Sequence, residues 1–73
     1  MEAWAETIIS RELFQAAQKD VDLEDRIEHN LINVIRLNIP KNITMPYEWE
    51  ERVQIITEEC EDGNVKYQAF IVF

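Results

Sequence analysis

The only glycine of the chain, Gly63, follows Asp62 and stands between two runs dense in β-branched and aromatic residues, Val53 to Thr57 and Val65 to Phe73. Asp-Gly between such runs is a strong hairpin signal, because glycine enters the left-handed backbone region without a Cβ clash. Two registers compete. A two-residue turn pairs Cys60 with Val65 and opposes Glu58 to Tyr67 and Gln54 to Ile71, which mixes polar and apolar neighbours. A type I turn with Gly63 as a left-handed bulge residue pairs Cys60 with Asn64 instead. It gathers Val53, Ile55, Thr57, Val65, Tyr67, Ala69, Ile71 and Phe73 on one face and sets Glu58 opposite Lys66 on the other. The bulged register is predicted, since it yields a clean core face and an opposite-charge pair.

A helix over residues 46–60 competes with the first strand of that hairpin, because Trp49, Val53, Ile56 and Cys60 also fit helical spacing and Pro46 suits a first helical position. Two features favour the strand. Val53, Ile55, Ile56 and Thr57 are β-branched, and Glu58, Glu59, Glu61 and Asp62 would crowd the negative end of a helix.

Upstream, Ala5, Ile8, Ile9, Leu13 and Ala16 fall on one side at helical spacing, which predicts a helix over Ala3 to Lys19. Asp22 is placed to cap a second helix, in which Leu23, Ile27, Leu31 and Val34 recur at helical intervals. From about Asn33, Ile35, Leu37 and Ile39 alternate with Arg36 and Asn38, the two-residue period of a strand. A helix-to-strand change is predicted near Asn33, with Pro40 to Pro46 as a loop. The fold expected is α+β: two N-terminal helices packed on a small antiparallel sheet that ends in a C-terminal β-hairpin.

With 73 residues the chain has room for a single small acidic domain spanning residues 1–73. A chain of this size buries only about 60% of the surface its unfolded form exposes, so outside support is expected. Cys60, the only cysteine, has no disulfide partner, and with His29 it is too little for a metal cage. No signal peptide pattern opens the sequence and no apolar run approaches the ~20 residues of a membrane span. A cytoplasmic location is expected. The net charge of -8, from 15 acids and 7 bases, opposes direct binding to nucleic acid or to a membrane surface, while a 47% apolar composition predicts a folded chain.

Catalysis is not expected. Cys60 lies among Glu58, Glu59, Glu61 and Asp62, whose field disfavours a thiolate. His29 has only Asp25, one turn earlier, to orient it. No glycine-rich phosphate loop or calcium loop exists, so no cofactor or metal is expected. The alternative is a small enzyme or enzyme subunit using a carboxylate and His29.

The leading expectation is a non-enzymatic interaction protein, an inhibitor or adaptor, whose partner is another protein with a basic or apolar surface. Acids cluster at Asp20, Asp22, Glu24, Asp25 and Glu28, again at Glu48, Glu50 and Glu51, and again at Glu58, Glu59, Glu61 and Asp62. Brought onto one surface they would imitate nucleic-acid charge, making the chain a DNA mimic. The apolar surplus is the second clue. In the bulged register Ile56, Phe70 and Val72 lie on the hairpin face away from the core, and with Trp4, Phe14, Tyr47 and Trp49 they exceed what one small core absorbs. Either the loop from Pro40 to Trp49 folds over that face, or a partner does. A symmetric homodimer would also supply cover.

Overall fold

In the computed structural model, which describes Met1–Phe73, Gly63 adopts a φ of +89° and the hairpin has the bulged register. Cys60 N–H donates to Asn64 O at 2.8 Å, Gly63 N–H donates to Cys60 O at 3.1 Å, and the Asp62 carboxylate accepts from Asn64 N–H at 3.0 Å. The strands of the hairpin are β2 (Gln54–Glu59) and β3 (Val65–Val72), with Glu58 opposite Lys66 and their charged ends 3.4 Å apart. Residues 46–60 are therefore not a continuous helix. A 3-10 turn over Trp49–Arg52 leads directly into β2.

The predicted helix over Ala3 to Lys19 divides in two. Its first part is a strand, β1 (Glu2–Ile9), and only Arg11–Lys19 is helical, as α1. Ser10 makes the break: its hydroxyl accepts from Leu13 N–H at 3.1 Å, a cap that starts a helix and cannot lie inside one. The strand satisfies a two-residue period that the sequence hides, with Ala3 and Ala5 buried and Glu2, Trp4 and Glu6 exposed.

The predicted strand over Asn33 to Ile39 is absent. It is the last part of α2 (Val21–Asn38), capped at Asp20, whose carboxylate accepts from the N–H groups of Asp22 and Leu23. Ile27, Leu31 and Ile35 form the buried stripe, and Leu37, which the strand pattern would have paired with Ile35, is 84% exposed. Helical hydrogen bonding continues to Ile39 N–H, which donates to Ile35 O, and stops because the residue before Pro40 is driven to extended geometry.

The sheet order is β1-β3-β2, antiparallel throughout, so the fold is α+β with both helices on one face of a three-stranded sheet. Ala3, Ala5, Val65, Tyr67, Ala69 and Ile71 face the helices and join Ala17, Ile27, Leu31, Ile35 and Trp49 in the core. Small residues on β1 let α2 lie close to it, while Tyr67 fills the space under α1, edge-on to Phe14 at a ring separation of 6.1 Å.

Candidate functional site

Because side chains alternate along a strand, the inward set on β1 and β3 fixes the outward set: Glu2, Trp4, Glu6 and Ile8 on β1, Lys66, Gln68, Phe70 and Val72 on β3. On β2 the outward residues are Gln54, Ile56 and Glu58. The register aligns them in rows across the sheet. Trp4, Phe70 and Gln54 share one row, Glu6, Gln68 and Ile56 the next, and Ile8, Lys66 and Glu58 the third.

No layer covers this face. Trp4 and Ile56 are each 51% exposed and Val72 71%, with Phe70 half-buried between them. A shallow depression of about 310 Å³ lies among Glu2, Trp4, Gln68 and Phe70. Of the seven apolar candidates, the sheet thus brings together Trp4, Ile56, Phe70 and Val72. Trp4 reaches this group through β1, not through the helix in which the sequence had placed it.

The other three go elsewhere. Phe14 packs against Tyr67 on the helix side. Trp49 is buried there too, with the Arg36 guanidinium 5.6 Å from its ring centre. That contact, the Arg36–Glu50 ion pair at 3.8 Å, and the packing of Ile39 and Met45 on the core carry the segment after α2 along the helix side of the sheet. It therefore does not fold over the outer face. Tyr47 is 90% exposed in that segment, apart from the patch.

The second acidic group is set apart from the first. Asp20, Asp22, Glu24, Asp25 and Glu28 occupy the cap and first turns of α2, whereas Glu50 is held by Arg36 toward its far end. Glu24 and Arg36 are twelve residues apart, about 18 Å along a helix. Glu58, Glu59, Glu61 and Asp62 surround the hairpin turn, where Arg11 neutralises part of their field by contacting Glu59 at 3.3 Å and Gly63 O at 3.2 Å. Glu24 leaves the surface array to accept a hydrogen bond from the Tyr67 phenol at 3.0 Å. Burial raises the pKa of Glu28, and the neighbouring charges of Glu24 and Asp25 raise it further.

His29 donates from Nδ1 to the main-chain carbonyl of Asp25 at 2.8 Å, so the Asp25 carboxylate does not orient it. No three His, Cys, Asp or Glu side chains are placed to hold a metal ion. No helix is long and apolar enough to cross a membrane. Compared with protein-family models, with characterised proteins and with solved structures, the chain matches none.

Proposed function

We propose that the chain is a non-enzymatic protein-interaction module, an inhibitor or adaptor working inside the cell, and that it binds its partner through the outer face of the sheet. One observation carries this reading: a complete sheet face bearing Trp4, Ile56, Phe70 and Val72 has no covering layer. Aromatic residues on an exposed patch bordered by charge are the usual anchors of protein interfaces. Glu2, Glu6 and Glu58 edge the patch, while its one cation, Lys66, already contacts Glu58. A partner with an apolar surface flanked by basic groups is complementary to that arrangement.

Photo-crosslinking in host cells tests the reading. A crosslinking amino acid placed at Ile56 or Val72 should capture a discrete protein, and Phe70→Ser should abolish the capture. Capture only from probes at Leu37 or Tyr47, exposed apolar positions off the patch, would assign binding to another surface.

A further inference from the structure

We propose that the free edge of β1 is a second binding element, which takes up an extended segment of a partner as a fourth strand, with basic and apolar residues alternating along that segment's outward face. The hydrogen-bond phase of the sheet identifies the groups on offer. The Met1 ammonium donates to Phe73 O and Phe73 N–H donates to Met1 O, both at 2.7 Å, a reciprocal pair. In an antiparallel ladder such pairs recur at every second residue, so Ala3, Ala5, Thr7 and Ile9 turn their main-chain groups toward β3. Glu2, Trp4, Glu6 and Ile8 turn theirs away from the sheet. An independent contact agrees: the Asn38 side-chain amide donates to Trp4 O from outside at 3.4 Å, a long bond that an added strand would replace.

The edge also has a wall. A groove of about 590 Å³ runs between β1 residues 2–6 and the side chains of Val34 and Asn38 on α2. A second, of about 300 Å³, continues past Glu6 and Thr7 to Ile9 and Leu13, and shares Glu6 and Val34 with the first. A strand edge flanked by a helix is the geometry in which an extended peptide gains main-chain hydrogen bonds from the strand and side-chain contacts from the helix. The opposite edge, on β2, is shorter, turns out only Ile55, Thr57 and Glu59, and has Arg11 on Glu59. β1 carries no proline, glycine, lysine or bulge, and the charges on its edge are the carboxylates of Glu2 and Glu6 alone.

Charge decides the occupant. An added antiparallel strand sets its outward residues directly opposite Ile8, Glu6, Trp4 and Glu2 in turn. Lysine or arginine opposite the two carboxylates, and β-branched or aromatic residues opposite Ile8 and Trp4, are the favourable pairs. A second copy of β1 fits less well. Centred on Trp4 it opposes Glu2 to Glu6 twice, and centred on Ala5 it leaves each carboxylate facing Trp4 or Ile8 with no cation. Each copy also brings a net charge of -8.

The test is amide hydrogen exchange on the intact chain, titrated with the blocked synthetic peptide Val-Thr-Lys-Thr-Val-Thr-Lys. Exchange at Trp4, Glu6 and Ile8 should slow at least tenfold, while Ala3, Ala5 and Thr7, already bonded to β3, stay as they were. In Glu2→Lys/Glu6→Lys, two exposed changes, preference should pass to the same peptide with glutamate in place of lysine. No slowing at millimolar peptide, slowing without the two-residue alternation, or equal response to both peptides would overturn the proposal. Slowing of the same amides with rising protein concentration alone would overturn it in favour of β1 self-pairing. Phe70→Ser lies on the central strand and leaves the edge intact, so failure of the sheet-face reading and failure of this one are separable.

Discussion

The Tyr67 phenol donates to Glu24 Oε2 at 3.0 Å, tying the central strand to the first turn of α2 across residues 43 apart in sequence. Burial and the adjacent carboxylate push the phenol up from 10.0 to about 12. The folded chain thus holds this proton more tightly than the unfolded chain. Its stabilising contribution is fully present below pH 10 and is lost as the pH rises through about 12. Absorbance titration of Tyr47→Phe, which isolates Tyr67, should show phenolate appearing only near the upper value. Tyr67→Phe should remove the corresponding fall in urea midpoint between those pH values and cost about 1.5 kcal/mol at neutral pH.

Glu28 behaves in the same sense at the acid end. Its pKa is raised above 4.5 by burial, then by Glu24 and Asp25, so its ionised form disfavours the fold. The contribution favouring folding is present below the ordinary carboxylate range and lost as pH rises through the elevated value. Glu28→Gln should therefore be more stable than the wild type at pH 7. Urea midpoints of the two should converge as the pH falls below 4.5. A gap that persists there would mean that Glu28 acts through packing instead.

At the hairpin turn, a Cβ added to Gly63 would meet nothing within 4 Å, so the backbone alone sets the cost of substitution. With φ at +89°, Gly63→Ala should lose about 1 kcal/mol and Gly63→Asn less, since asparagine tolerates the left-handed region better. Equal losses in chemical denaturation would point to a rearranged turn.

Phe70→Ser/Val72→Ser should leave circular dichroism unchanged and cost less than about 1 kcal/mol, because these side chains face outward. Ile35→Ala, in the fully buried stripe of α2, should cost about 2–5 kcal/mol. Sedimentation of wild type beside the double mutant gives the identity of the cover: a wild-type dimer lost on mutation assigns the face to a second copy. A wild-type monomer at high micromolar concentration, with partner binding retained by the double mutant, would show that these residues serve only the domain itself.

The hairpin and its register were legible because Asp62-Gly63 and the alternation on both sides of it are local signals that agree. The outward grouping of Ile56, Phe70 and Val72 followed from that register alone. β1 was not legible. Over Ala3 to Ile9 the helical and extended periods coincide, alanine favours a helix, and the strand's only partner lies at the other end of the chain. The end of α2 misled in the opposite direction: Ile35, Leu37 and Ile39 alternate by chance, and the exposure of Leu37 with the helical bond from Ile39 N–H to Ile35 O separates the two readings. Trp49 carried no sequence signal for burial, because the Arg36 that lies against it comes from a helix whose length was underestimated.

The central position of β3 makes the order of synthesis matter. β1 emerges first, yet Glu2 pairs with Val72, so the sheet cannot close until residues 65–72 have left the ribosome. At roughly 5–20 residues per second, that interval lasts several seconds. Throughout it β1 has no strand to pair with, and its main-chain groups, with Trp4, Ile8 and Ile9, are open to solvent or to a chaperone.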